Sequence, residues 1–535
     1  MSAPAPSPSE EKPPAASPAR QLRAPFEAPE ATRGQLVAGL WLLMVATALF
    51  RLPPLLNARG VHSDAAVVGL QARHMLEGEW SWFLWGAGYQ GSFDALLAAL
   101  AFKIAGATPL VLMLVPLAGH VLLEVLTFDI LQKRVGAALG LLATLPVVFT
   151  PQAINGAALY APRQWCITFV FLGLWLLDGA SHSRRPLLRY ALGTLMGPLA
   201  LYLDLYALQL MPGFALFALA CCADAWPGLA RGWRRVAATV AGGGVGWLSL
   251  QWLRQHAGAS SSPTSLSLEP IERNARLLWE TCLPWVLSYG VYVPGHNLYP
   301  DRWAAPLPFA LVQKLGAALL MLGIVVGGLS LFFRRLPWGA RRLGLLGAVV
   351  SAAALGGFLV SPMPVDMGAA RYLAPIVWFS PFALAPVALL LRPRRFVWAL
   401  APYVLAAAVG GWLSYGLYVK GPLPRLDARG VAEEEREVAR VLRERGVTAA
   451  AAQYWLAYRL AFLFEENPTV MPLHPGEDRY LPYREAFDRA PRVAFLFHPS
   501  EPRAQPEPHE GMLRQTGARY ERLEVAGFTL LIVSR

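Results

Sequence analysis

Charge is the scarcest commodity in this 535-residue chain. Only 15% of residues are Asp, Glu, Lys or Arg, against 55% hydrophobic ones. A soluble domain carries roughly a quarter charged residues, so a soluble globular fold is excluded. Cysteine is scarce too, at four residues. Cys166, Cys221 and Cys222 fall in or beside apolar blocks and Cys282 lies in a loop. Their spacing suits neither a metal site nor a disulfide framework. There is no Asp-x-Asp motif, no phosphate-binding Walker loop and no dinucleotide glycine fingerprint, which excludes the common nucleotide-binding architectures. The net charge of +12 is not gathered into a basic stripe with interleaved aromatics, so no nucleic-acid partner is expected. No motif supports a cofactor, and none supports a divalent metal. No internal repeat is visible.

What the chain does have is long apolar blocks, with a mean hydropathy of +0.39. They predict about eleven spans near the twenty residues a bilayer requires, at 35–56, 108–131, 136–151, 164–180, 187–202, 206–223, 236–253, 308–333, 343–361, 372–391 and 396–418. Arginine and lysine fall in alternate loops: Lys133 and Arg134, Arg184 to Arg189, Arg231 to Arg235, Arg334 to Arg342, Arg392 to Arg395. By the positive-inside rule those loops and the N-terminus are cytoplasmic. Residues 1–34, rich in Pro, Ala, Ser and Glu, are expected to be a disordered cytoplasmic tail. The other loops, including a long first one at 57–107, face outward. From residue 419 the chain changes character. An amphipathic helix at 427–445 and short apolar runs at "VTAAAAQ", "TVMPL", "RVAFLFH" and "FTLLIVSR" predict a small α/β domain. An odd span count puts it in a periplasm. Gly242/Gly246 and Gly323/Gly327 allow close helix packing. The expected fold class is thus a polytopic α-helical membrane protein with a small extracytoplasmic α/β domain at its C-terminus.

The first outward loop holds the most informative chemistry. In "VHSDAAVVGLQARHMLEGEWSWFLWG", Ser63 is a good N-cap. Ala65, Val68, Ala72, Met75 and Leu76 make one apolar stripe, Arg73 and Glu77 can pair across a turn, and Gly78 suits the position after a helix end. This predicts a helix lying in the outer interface, followed by interfacial tryptophans. Asp64 sits in its first turn, where the helix dipole favours a carboxylate. An ionised carboxylate at a cavity mouth can take a proton from a hydroxyl.

The stretch from His62 through "YQGSFDALLAAL" to "LVLMLVPLAG", with "ARYLAPIVWF" at Ala370–Phe379 and "QYWLAYRLAF" at Gln453–Phe462, resembles the membrane glycosyltransferases of GT-C fold. The pattern is nearest to family 39 and the lipid A arabinose transferase type. The resemblance covers about a third of the chain. It implies an inverting transferase that moves a sugar from a polyprenyl-phosphate donor to a hydroxyl of a lipid, glycan or protein, with membrane lipids as surroundings. It also implies that Asp64 is the general base. Where such families often carry Asp-Glu, this chain has Asp64–Ala65, which removes a second carboxylate and weakens the case for a metal there. The leaving phosphate needs a cation. Arg371 and Arg163, at outward span ends, are the candidates. His62, Tyr89, Gln90, Asp94, Asp204, His296 and Tyr372 are candidate substrate-binding residues. The competing expectation is a transporter or lipid-linked sugar flippase, which would show inverted repeats and ionisable residues near the bilayer midplane.

Overall fold

The computed structural model describes residues 31–56, 61–223, 229–256, 266–293, 301–391, 393–414, 433–499, 501 and 503–535. The N-terminal tail to residue 30 and residues 427–432 of the expected amphipathic helix lie outside them, as does His296.

All eleven predicted spans fall on helices. Among the described residues, seven helices are long and apolar enough to cross a membrane: Arg33–Leu56, Pro109–Val135, Leu205–Ala223, Leu307–Phe332, Trp338–Val360, Met367–Leu390 and Pro393–Ser414. Two others are shorter than expected. Ala137–Val148 has 12 residues and Gln164–Asp178 has 15, roughly 18 and 22 Å at 1.5 Å per residue against a hydrocarbon core of about 30 Å. Pro146 near its end and a turn into the short helix Gln152–Leu159 stop the first. The small-residue pairs work as expected. A Cβ on Gly242 would meet the Ala191 carbonyl at 2.0 Å, and one on Gly327 the Ala383 carbonyl at 2.2 Å, so only glycine admits these helix contacts.

The C-terminal domain is a five-stranded sheet. Its strands follow two short pairs: β1 (Phe83–Leu84) with β2 (Ala87–Gly91), and β3 (Tyr292–Val293) with β4 (Asp301–Arg302). The domain's own strands are β5 (Ala449–Ala452), β6 (Thr469–Pro472), β7 (Arg492–Phe497), β8 (Tyr520–Val525) and β9 (Phe528–Ser534), ordered β6-β5-β7-β9-β8. β5 is parallel to β6 and β7; β9 is antiparallel to β7 and β8. Four strands fall where the apolar runs lie. The fifth, β8, carries Glu521, Arg522 and Glu524 as a charged edge strand does, which hides it from an apolar search.

The first long loop differs from expectation in three ways. The helix Ser63–Leu76 does not lie in the interface with a single buried stripe. Ser63, Ala65 through Ala72 and Met75 are all buried, because the helix is sandwiched between the Tyr454–Leu463 and Phe93–Ala105 helices. Gly69 sits against the Phe462 ring. His62, not Ser63, is the N-cap; its Nδ1 accepts from the Ala65 amide at 3.4 Å, and the Ser63 hydroxyl donates to the Tyr454 carbonyl. Arg73 passes over Glu77 and donates to the carbonyls of Phe462 and Ala107 at 2.9 and 3.3 Å. By packing, this loop shares one core with the C-terminal domain, separate from the core of the helix bundle. Trp80 and Trp82 are exposed as interfacial residues would be, while Trp85 is buried and stacks on Tyr480.

Candidate active site

A cavity of about 410 Å³ opens where the first loop, the bundle and the C-terminal domain meet. Six of the expected site residues line it: His62, Asp64, Tyr89, Gln90, Arg163 and Arg371. Trp85, Tyr160, Trp285, Trp378 and Trp455 give it aromatic walls.

Asp64 sits in the first turn of its helix, with 36% of its side chain exposed. Its contacts gather on one oxygen. Oδ1 accepts from the Tyr454 hydroxyl and lies 3.8 Å from the Arg479 guanidinium. Among the described residues Oδ2 has no partner and is open to the cavity. Tyr454 and Arg479 come from the C-terminal domain. Arg479 Nε donates to the Tyr454 hydroxyl at 3.1 Å and Nη1 to the Gly86 carbonyl at 2.7 Å. Burial and the Asp64 charge push the Tyr454 phenol well up, so it stays a proton donor to the carboxylate. Gly86, with φ +61°, lies under Arg479, whose Cα a Cβ there would meet at 2.7 Å. The β1–β2 turn therefore needs glycine twice over, for its backbone and for this close approach.

Arg163 precedes the Gln164–Asp178 helix. Its Nε lies 3.3 Å from Asp204 Oδ2, and its guanidinium packs over Tyr206 at 4.9 Å. Burial opposes its charge, but the Asp204 carboxylate outweighs that and holds it protonated. Asp204 stands behind the cavity rather than in it. It accepts from Gln90 Nε2 and the Tyr206 amide, both at 2.8 Å, and so aims Gln90 and Arg163 inward. Arg371 is exposed in the cavity and donates to the Tyr372 hydroxyl at 3.3 Å. Tyr372 itself stacks behind, against Tyr206. No carboxylate is within ion-pair reach of Arg371 among the described residues; nearby Asp366 accepts from the Gly368 amide instead. His62 packs on Tyr160 and Trp455. Burial, with Arg163 and Arg371 adding to it against Asp64, keeps its imidazole neutral.

Asp94 is away from the cavity, buried at the start of the Phe93–Ala105 helix, with neither oxygen hydrogen-bonded. Burial and the nearby Asp204 charge raise it, favouring the protonated form. Among the described residues no cluster of His, Cys, Asp or Glu could hold a metal. The sequence reading missed Tyr454, Trp455 and Arg479. The first two lie inside "QYWLAYRLAF", which enters the sequence analysis only through the family resemblance; Arg479 carries no local signal.

No family model and no curated protein sequence matches the chain. Solved structures do. ArnT from Cupriavidus metallidurans in the apo state aligns at TM-score 0.56 and 12% identity, covering 93% of this chain and 98% of that one. ArnT bound to undecaprenyl phosphate aligns at TM-score 0.54 and 13% identity with the same coverage. The oligosaccharyltransferase AglB from Archaeoglobus fulgidus, in complex with an inhibitory peptide and a dolichol-phosphate, aligns at TM-score 0.47 and 12% identity over 86% of this chain and 69% of that one. At such identities the likeness speaks to architecture, and the ArnT superpositions run over nearly the whole of both chains: this protein is a polytopic α-helical membrane protein of the GT-C fold.

Proposed function

We propose that the protein is an inverting glycosyltransferase that takes a sugar from a polyprenyl-phosphate donor and passes it to a hydroxyl of a lipid, glycan or protein. The work is done at the outer face of a bacterial inner membrane, with the C-terminal domain in the periplasm. The observation that carries this reading is the convergence of Asp64, Arg163 and Arg371 on one cavity at the ends of membrane spans. The ArnT fold, one of whose structures holds undecaprenyl phosphate, supports it.

The residues divide the reaction between them. Asp64 Oδ2 accepts the proton of the acceptor hydroxyl. The acceptor oxygen attacks the anomeric carbon from the face opposite the phosphate, the carbon–oxygen bond to phosphate breaks, and the electron pair leaves with the polyprenyl phosphate. Arg371 lies ready for the charge that gathers there. The cavity's charges favour a donor with one phosphate. Arg163 is offset by Asp204 and Arg479 by Asp64, which leaves Arg371 to balance a phosphodiester's single negative charge.

One feature would also suit a lipid-sugar flippase. Arg51, His120, Glu124 and Thr47 are buried together within the spans, and such groups at membrane depth are often functional. Here they bond one another and the Val147 and Val148 carbonyls, bracing three helices.

The test offers purified protein a panel of polyprenyl-phosphate sugars with membrane extract as acceptor. Donor consumption with inverted anomeric configuration in the product is expected. Transbilayer movement of an intact donor, without consumption, would replace the transferase by the flippase.

A further inference from the structure

In an inverting displacement the acceptor oxygen and the leaving phosphate stand on opposite faces of the anomeric carbon. With the phosphate at Arg371, the acceptor sits beside Asp64. That part of the cavity is built largely by the C-terminal domain. Tyr454 and Arg479 lie on Asp64 Oδ1, and Trp455, next in sequence, lines the cavity with 37% of its surface exposed. The rings of Tyr454 and His62 meet Trp455 nearly at right angles, at centroid distances of 5.1 and 6.3 Å. Among the described residues no ring is stacked parallel on it, so indole surface is left for a ligand. Tyr89, from β2, lines the same cavity within electrostatic reach of Arg479. Its hydroxyl has no hydrogen-bond partner among the described residues. Gln90 gives its amide N–H to Asp204 at 2.8 Å, and its side-chain carbonyl oxygen is left without a partner among them.

An open indole beside an unused hydroxyl and amide carbonyl matches one acceptor class. A pyranose presents an apolar C–H face, drawn to the electron-rich face of an aromatic ring, and a rim of hydroxyls that both donate and accept. A plain alkyl alcohol would leave Tyr89 and Gln90 unpaired, at a cost. A peptide held through its main chain needs a free strand edge, whereas β2, the strand on the lining, is already paired with β1 and bridged at Gln90 to Asp204. We propose that the acceptor is a sugar, its ring resting against Trp455, its neighbouring hydroxyls on Tyr89 and Gln90, and the reacting hydroxyl at Asp64 Oδ2. This rests on the transferase reading above. The proton of that hydroxyl passes to Asp64, its oxygen bonds to the anomeric carbon, the bond from that carbon to phosphate breaks, and the electron pair leaves with the phosphate. The product is a new sugar–sugar bond.

The test incubates the full-length protein with a panel of polyprenyl-phosphate sugars and membrane extract, isolates the product, and maps by mass spectrometry and NMR the atom that carries the new sugar. Attachment to a ring hydroxyl of another sugar is expected, in a free oligosaccharide or a glycolipid, which solvent partition tells apart. Attachment to an alkyl alcohol or to a Ser or Thr side chain would overturn the proposal and leave the transferase reading in place. Absence of donor consumption would fell the transferase reading, and this proposal with it. With the acceptor in hand, Trp455→Ala is expected to raise its KM by about tenfold at unchanged donor KM, and Trp455→Phe to recover most of that loss. Tyr89→Phe, which deletes only a hydroxyl, is expected to raise acceptor KM by roughly threefold to tenfold and keeps the test open should Trp455→Ala not fold. An acceptor KM unaltered in the folded variants would overturn the proposal.

Discussion

Two acidic residues of this chain, at opposite ends of the bundle, are built to different ends. Asp178 is 2% exposed, and one of its oxygens takes Arg134 at 2.8 Å and Arg342 at 2.7 Å, with Arg342 equally buried. Asp64 is 36% exposed, and its two neighbours crowd onto Oδ1 while Oδ2 stays open. The arginines differ in the same way. Arg134 and Arg342 are locked onto a carboxylate, and Arg371 faces the cavity with no carboxylate in ion-pair reach among the described residues. Groups that hold helices together are closed off by one another. On the proposed reading, the groups that do the chemistry keep an unused oxygen or an uncompensated charge where a substrate can reach it, and the surroundings fix their aim.

If that contrast is right, the two ends fail differently when altered. Asp178→Ala takes the carboxylate from the buried Arg342 and the half-buried Arg134 and is expected to destabilise the fold by about 3–5 kcal/mol. Thermal unfolding in detergent would read this, while the KM of the folded fraction stays unchanged. Arg371→Ala should do the reverse. Melting is expected to be unaltered, with kcat down by about 10²–10³-fold through lost stabilisation of the leaving phosphate and donor KM raised. A destabilised Arg371→Ala with normal turnover would put Arg371 among the braces.

Tyr454→Phe sharpens the contrast from the side of the C-terminal domain. It removes a hydrogen bond to a charged group, a loss of about 1.5–3 kcal/mol at most. A fall in kcat of about tenfold with donor KM unchanged would show that the domain aims Asp64. Equal falls in both variants, if Tyr458→Phe behaved alike, would reduce Tyr454 to packing.

The smallest effect concerns the seam that carries this aim. His74 lies between Glu79 and Glu466, at 2.7 and 2.8 Å. Burial lowers its proton affinity, but these two carboxylates prevail and raise the imidazole to about 9 from 6.5. A group raised on folding stabilises fully below its unfolded value, and that stability is lost as pH rises through the folded one. Docking of the C-terminal domain should therefore weaken between about pH 7 and pH 9.5, seen as faster proteolysis or hydrogen exchange along Ser63–Leu76. A His74→Gln variant should show no such dependence over that window.

Much of the fold was legible because bilayer physics writes it in long strokes. A run of twenty apolar residues is local, and so are the alternate arginine-rich loops; every predicted span coincides with a helix. The cavity's own half was legible too, since Asp64, Arg163 and Arg371 stand at span ends on one side. What stayed hidden depends on partners far apart in the chain. Tyr454 is 390 residues from Asp64, and no local pattern marks Arg479. The Ser63–Leu76 stripe misled for a related reason. Its periodicity suits a helix half in water, but a small-residue face at Ala66 and Gly69 accepts a second helix, and which helix arrives is settled only by the tertiary fold. Asp204 reads from sequence as a binding acid and is found holding Gln90 and Arg163 instead, because a lone acid in apolar sequence must find partners whatever else it does.

The most direct trial of Asp64 as the open, reactive carboxylate is the single-turnover rate of donor consumption by Asp64→Asn beside wild type, with melting temperatures matched. The amide keeps the shape and can still meet Tyr454, yet it cannot take a proton. A loss of about 10²–10⁴-fold is predicted. Turnover within a few-fold of wild type in a well-folded Asp64→Asn protein would contradict the account and move the base elsewhere in the cavity.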